Sequence, residues 1–516
     1  MRSFKATDIL ASYSECVIAT MLLLAFTGIF IWCGFNSVDF GAHWDEGKLI
    51  GSVIDTANTG VILPRWYNYP SLSYLVCLFT ALFGYVAQVM INPDIIFPPI
   101  DKEGIVIINK QFIDFVNTQT YHFEVRSVFI LLTASSALVV SLSARLLGVN
   151  WIASATTGIT LLLSYPIFYH SRWIAPDTLL MLMTALVILT TVWASKHNSS
   201  QTLTFAAISA GLAAAAKYPG GITLFLPLYV AIKGKHKFQR LGIIMTFFML
   251  TFLFITPGIL LEPVEFIKNV RGEMNHYKTG HAAHTLETKL DGIQKLSEFI
   301  LFRLFSPDAA ISVGVILLAV MGAVFIWQRN KNHASIILIP IIAYLVYFST
   351  QKVLFVRNLL MLTPFIVVLV GIAIDALMKY FPGNVLRFAI PVAFLALLSS
   401  NLNYYFKAVD SLQNPRQDAW GMALEQYLDK NPTKKISISD KALDYVSERY
   451  KSTHSAFVAR ESADIYIFTL KEELWICANR RNSFRVLAGP DDTDLDYYPE
   501  WVGYNRVVAL DQQVCH

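Results

Sequence analysis

Apolar residues in this chain come in unbroken runs of about 18 or more, the length a helix needs to cross a bilayer, and only rarely alternate with polar ones. The first run, Cys16 to Phe35, follows Arg2 and Lys5. It exceeds a signal-peptide core and is followed by no small-x-small cleavage pattern, so it reads as a retained anchor with its N-terminus in the cytoplasm. Further spans are predicted at 127–148, 151–170, 174–194, 203–217, 220–232, 241–260, 309–327, 333–350, 357–377 and 387–403. Together they make about 11 transmembrane helices, all helical because lipid-exposed backbone must satisfy its own hydrogen bonds. Composition agrees: 55% of residues are hydrophobic and 15% charged, with a mean hydropathy of +0.49.

One apolar stretch, 71–90, is long enough to cross but rich in Ser, Tyr and Gly, and loop charge arbitrates. If it crosses, the basic loop 233–240 faces outward together with Arg145, Lys196, Arg329, Lys331, Lys379 and Arg387, against the usual excess of Lys and Arg on the cytoplasmic side. If it lies in the interface or re-enters, all of these fall inside, and that reading is adopted. It gathers four features on one outer face: "HWDEG" (43–47), "SRWIAPD" (171–177), the long loop 261–308 and the tail after 403. The expectation is an extracytoplasmic site on a multi-pass protein of a bacterial inner membrane.

After residue 403 the composition becomes charged and alternating, which divides the chain into a membrane domain, 1–403, and a tail domain, 404–516. In the tail, Trp420, Ala423, Leu424, Tyr427 and Leu428 form one helical stripe closed by Pro432. Short β-like runs follow at 435–440, 455–460, 464–469, 484–489 and 506–511. About 110 residues can bury a core of their own, so the tail is predicted to be a small α/β domain. A net charge of +4 over 516 residues gives no case for nucleic acid. Of the five cysteines, Cys16, Cys33 and Cys77 suit apolar segments as small buried side chains. Cys477 and Cys515 fall in the tail, where an oxidising compartment would permit a disulfide.

The candidate chemistry sits at the outer ends of spans. Asp45 and Glu46 follow the first span by about ten residues, at a boundary where a carboxylate can be partly dehydrated and therefore more basic. That suits a general base acting on a hydroxyl, although two acids in a short loop can equally be solvated surface. Asp177 follows Pro176 at the start of an apolar helix, where the positive end of the macrodipole favours an anion, and the topology brings it near Asp45. His276, His281 and His284 invite a metal reading, but no acidic partner recurs at ligand spacing. Residues 491–496, "DDTDLD", contain Asp-x-Asp without a nucleotide-binding fold around it and read as an acidic turn. No cofactor is expected, and a divalent metal is disfavoured.

"HWDEGKLIGSVIDTANTGVILPRWYNYPSLSYLV" (43–76) resembles the first outer loop of the GT-C glycosyltransferases related to polyprenyl-phosphate-mannose protein mannosyltransferases and the lipid A aminoarabinose transferase. The resemblance continues, in order, through 126–148, 169–189, 211–228, 356–374 and 414–428, and so covers nearly the whole chain. It implies outer juxtamembrane helices and transfer of a sugar, usually with inversion, from a polyprenyl-phosphate carrier to an acceptor on the outer face. Asp45 would then be the base that deprotonates the acceptor, with Glu46 supporting it or shaping the site. Arg126, Lys217 and Arg357 would stabilise the departing lipid phosphate, although Lys217 could simply snorkel. His43, Tyr67, Tyr69, His170, Tyr218, His276 and His281 are candidate donor or acceptor contacts. His43-Trp44 stands where His-Pro is frequent, and Asn358, beside Arg357, stands where Tyr is common. A transporter would show internal repeats and mid-membrane charges, and neither is found here. A binding-only relative of these enzymes remains the alternative. Neither the sugar nor the class of acceptor, whether protein, lipid or glycan, is legible.

Overall fold

The computed structural model describes residues 6–38, 44–91, 102–280, 285–381, 384–413, 424–443, 446, 458, 462–469, 485–488 and 507–511. The chain begins with α1 (Ala6–Phe35), α2 (Trp44–Thr59), α3 (Leu72–Ile91), α4 (Lys102–Val116), α5 (Gln119–Leu146), α6 (Trp151–Leu162), α7 (Tyr165–Ser171), α8 (Pro176–His197) and α9 (Ser200–Ala216). A 3-10 turn, Tyr218–Leu224, leads into α10 (Phe225–Lys233), followed by α11 (Lys237–Ile255), α12 (Gly258–Leu261), α13 (Pro263–Thr279) and α14 (Lys289–Glu298). Then come α15 (Ala309–Arg329), α16 (Lys331–Ser349), α17 (Thr363–Tyr380), entered through a 3-10 turn at Val356–Leu362, α18 (Asn384–Leu398) and α19 (Leu402–Gln413). Among the described residues nine segments are long and apolar enough to cross a membrane, or ten if the pair α6 and α7, bent by 58°, is one span.

Local sequence sets the helix ends. Thr118, Asn150, Ser199, Asp308 and Asn330 each accept a hydrogen bond from a backbone N–H of the first turn that follows, and Pro176 opens α8. Small residues then let helices approach. A Cβ on Gly322 would stand 1.9 Å from the Leu369 carbonyl of α17, and one on Gly371 would stand 1.9 Å from Thr157 of α6. Helix α17 is buried almost throughout and forms the centre of the bundle.

Helix polarity separates two ends. Gly34 at the close of α1 packs on Ile130, early in α5, and Arg126 of α5 donates to the Val38 carbonyl just beyond α1. Thus α5 starts where α1 finishes. At its far end Arg145 lies over the Trp151 ring, Arg329 packs on Gly148, Arg240 donates to Asn198, and Lys379 pairs with Asp375, which accepts from Asn150. The basic loops therefore gather at one end and Asp45, Glu46, Asp177, Lys217 and Arg357 at the other.

This geometry decides the course of 71–90. Helix α3 is continuous, and by length and composition alone it could cross. But α3 starts beside Thr56 of α2 and Thr256, at the carboxylate end, and α5 starts at that same end. The chain between them must therefore cross twice or not at all. Helix α4 has 15 residues with Lys102, Glu103, Lys110 and Asp114, too short and too charged to return through lipid. Tyr85 of α3 donates to Gln111 of α4 and packs on Phe112 and Phe115. Helix α3 thus lies along the carboxylate end, as loop charge suggested, as an unbroken helix and not a re-entrant one.

Three features differ from expectation. The predicted span 220–232 is the 3-10 turn and the nine-residue α10, too short for a candidate span. The predicted span 151–170 breaks at Leu163 and Ser164; the Tyr405 hydroxyl donates to the freed Leu162 carbonyl and the Asn401 amide to that of Leu163. Tyr405 also stacks on Phe168 at 3.9 Å. The last bundle helix therefore continues beyond residue 403 to Gln413, although the composition shifts earlier. In the tail, β1 (Ile436–Ile438), β2 (Ile465–Thr469), β3 (Arg485–Ala488) and β4 (Val507–Asp511) form a sheet of order β1-β2-β4-β3. The β1–β2 pair is parallel and the other two are antiparallel. Leu424 and Leu428 pack on Ile436, Ile465 and Ile467, as the stripe predicted. Cys477, Cys515 and "DDTDLD" lie outside the described residues.

Candidate active site

Asp45 and Glu46 occupy the first turn of α2, where the helix N-terminus favours carboxylates. Adjacent helical positions diverge by about 100°, so the two acids meet different partners. Glu46 receives a bidentate bond from Arg126, Nε to Oε1 at 3.0 Å and Nη2 to Oε2 at 2.6 Å, and a third bond from the Ile174 N–H at 3.0 Å. Both side chains are 2% exposed. This pair ties α2 to α5, to the end of α1 and to the loop before α8. Arg126 is thereby bonded to both Glu46 and the Val38 carbonyl.

Asp45 faces the other way. Arg357, in the turn entering α17, donates Nη1 to Oδ2 at 2.8 Å, and the Tyr69 hydroxyl donates to the same oxygen at 3.3 Å. Burial, with Asp45 beside it, holds the Tyr69 phenol well above its ordinary pKa, so it stays a donor. The ammonium of Lys217 lies 5.5 Å from the Tyr69 ring centroid and donates to Asp177 Oδ1 at 2.7 Å. Asp177 is 3% exposed, and its Oδ2 has no hydrogen-bond partner among the described residues. A buried acceptor left open is costly in a closed protein core and useful beside a substrate. Asp45, Arg357, Tyr69, Lys217 and Asp177, drawn from five separate chain segments, thus form one buried cluster.

The other expected contacts divide. The Tyr67 hydroxyl donates to Glu262 at 2.8 Å, the Tyr218 hydroxyl donates to the Tyr67 carbonyl at 2.7 Å, and Asn68 donates to Glu273 at 3.0 Å. These bonds clamp loop 60–71 onto α13. His170 is buried between Tyr169 and Trp173, with ring centroids at 5.2 and 4.6 Å, and packs in the core. His276 lies on α13 edge-on to Tyr277. His43 and His281 lie outside the described residues. No group of three His, Cys, Asp or Glu side chains among the described residues is arranged to hold a metal.

Sequence reading missed Tyr277, Glu273 and Glu262, all from the long loop after α11. Tyr277 interacts electrostatically with Lys217, Glu273 and Arg357, and burial raises its phenol pKa. Its hydroxyl accepts from Asn358 at 3.0 Å, and its backbone carbonyl accepts from the Lys352 N–H. This explains Asn358: its amide oxygen caps the Phe355 N–H, its nitrogen reaches Tyr277, and its carbonyl accepts from Tyr344, so it fixes the turn that carries Arg357. The available signal was "MNHY" beside an aromatic-rich loop, too weak to place across 81 residues.

The helical bundle has the GT-C fold. Among solved structures, the chain is similar to ArnT from Cupriavidus metallidurans in the apo state, with a TM-score of 0.53 and 13% identity over 95% of this chain and 98% of that one. It is also similar to ArnT from Cupriavidus metallidurans bound to undecaprenyl phosphate, with a TM-score of 0.51 and the same identity and coverage. The likeness lies in the fold. No protein-family model and no curated protein matches the sequence.

Proposed function

We propose that this protein is an integral membrane glycosyltransferase that moves a sugar from a polyprenyl-phosphate carrier to an acceptor at the outer face of a bacterial inner membrane. The observation that carries the reading is the buried cluster in which Asp45, paired with Arg357 at 2.8 Å, stands beside the Lys217–Asp177 pair. Undecaprenyl phosphate bound to ArnT, on the same fold, supports a lipid-phosphate donor.

In this mechanism the donor phosphate approaches Arg357 and Lys217, and Arg357 exchanges part of its bond to Asp45 for the phosphate. Asp45, released from its cation, becomes the better base and takes the proton from the acceptor. The acceptor atom bonds to the anomeric carbon from the face opposite the phosphate, and the carbon–oxygen bond to phosphate breaks with its electron pair leaving on phosphate, so configuration inverts. Arg357 and Lys217 meet the charge that develops on the leaving oxygen. Asp177 Oδ2 accepts from a donor sugar hydroxyl. The positive-inside rule supports assigning the cluster to the outer face, since the basic loops lie at the opposite end.

The test is incubation of the purified protein with a panel of polyprenyl-phosphate sugars, followed by carrier release and anomeric analysis of the product. Release of polyprenyl phosphate with an inverted product supports the proposal. Binding of the lipid-linked sugar without turnover, across acceptors of protein, lipid and glycan type, would assign the chain to the binding-only alternative.

A further inference from the structure

Away from the carboxylate cluster, α3 and the first turns of α5 diverge around a cleft of about 850 Å³, open on one side and almost wholly apolar. Its walls include Phe79 and Phe83 of α3 and Phe123 and Leu132 of α5. The 13 residues from Thr120 to Leu132 span about 18 Å, so the cleft reaches from the carboxylate end of the bundle towards hydrocarbon depth. One feature does not suit a dry packing defect. Glu124 lines the cleft, and its Oε2 is buried without a hydrogen-bond partner among the described residues.

Gly84 accounts for the space this carboxylate occupies. A Cβ on Gly84 would stand 2.2 Å from Glu124 Oε2 and 2.9 Å from the Phe115 ring, so a side chain there would close the upper cleft. Glu124 also lies only two residues before Arg126, whose contact with Val38 marks the outer end of α1. A carboxylate near the mouth, with Phe79, Phe83 and Phe123 around it and Val128 and Leu132 further along α5, forms an amphipathic receptor. A half-buried carboxylate at an apolar cleft, one oxygen of which has no partner among the described residues, favours a cation that donates hydrogen bonds. A polyprenyl phosphate brings only negative charge to that position and is disfavoured.

We propose that this cleft binds an aminophospholipid of the outer leaflet, with the primary ammonium of its headgroup on Glu124 and an acyl chain descending between Phe83 and Leu132. The site is separate from the transfer chemistry, since none of Asp45, Asp177, Lys217 and Arg357 lines it.

The test is native mass spectrometry of the full chain purified in detergent with equimolar phosphatidylethanolamine, phosphatidylcholine and phosphatidylglycerol. Wild type should retain one phosphatidylethanolamine at least about tenfold over phosphatidylcholine, whose quaternary ammonium donates no hydrogen bond. Glu124→Gln should level the two zwitterionic lipids, Glu124→Lys should turn the preference to phosphatidylglycerol, and Gly84→Leu should abolish stoichiometric retention. Asp45→Asn should retain phosphatidylethanolamine as wild type does, whether or not transfer occurs. Equal retention of the three lipids by wild type, or an unchanged preference in the near-isosteric Glu124→Gln, would overturn the proposal.

Discussion

Adjacent acids on one helical turn have been given opposite duties by their partners. Glu46 is saturated by Arg126 and the Ile174 N–H, whereas Asp45 shares Oδ2 between Arg357 and Tyr69 at the edge of the cluster. Asp45→Asn keeps size and hydrogen bonding but cannot take a proton, so single-turnover transfer should fall by roughly 10² to 10⁴ while donor affinity persists. Nearly unchanged transfer in a folded Asp45→Asn protein would remove the base assignment. Arg357→Ala should weaken donor binding and turnover together, by about 2–4 kcal/mol in kcat/KM. Glu46 should behave as a structural acid: Arg126→Leu or Glu46→Leu alone should cost about 3–5 kcal/mol of stability, and the double variant much less than their sum. Denaturation midpoints across that cycle check it. A catalytic Glu46 would instead show lost turnover at full stability in Glu46→Gln.

At the scale of elements, the most informative piece is α3, whose hydropathy says span and whose neighbours say interface. Its apolar residues suit either environment, and only the return path decides, because α4 is too charged to cross. In a background with the native cysteines replaced, Ser199→Cys and Lys235→Cys should be shielded from an impermeant thiol reagent in intact cells. Glu287→Cys and Ile91→Cys, the latter at the exposed end of α3, should react. Shielding at Ile91 with labelling at Glu287 would mean that α3 crosses after all. Helix approach gives a second check: Gly322→Ala drives a methyl against the Leu369 carbonyl and should destabilise the α15–α17 contact by about 1–3 kcal/mol, read as a lower thermal midpoint.

For the whole molecule, α19 carries bundle packing past the change of composition at residue 403. The break between α6 and α7 frees the Leu162 and Leu163 carbonyls inside the bundle, and Tyr405 and Asn401 donate to them. A chain ended after Gln413 should keep the bundle's thermal transition, whereas one ended after Asn403 loses Tyr405 and should melt lower or fail to accumulate. Equal midpoints for the two truncations would place the true boundary back at residue 403.

Apolar periodicity and loop charge by themselves determined the helical class, the order of spans and the gathering of acids and basic loops at opposite ends. These follow from the cost of placing polar groups in hydrocarbon, which acts on each segment separately. The same chain order carried the resemblance that pointed to Asp45, Asp177, Lys217 and Arg357. Pairing was another matter. That Arg126 belongs to Glu46, that Arg357 belongs to Asp45 across 312 residues, and that Tyr277 and Glu273 join the cluster depend on which helix faces which. A buried cation takes the nearest well-oriented carboxylate, so its role is settled by distances of a few ångströms that only the packed bundle supplies.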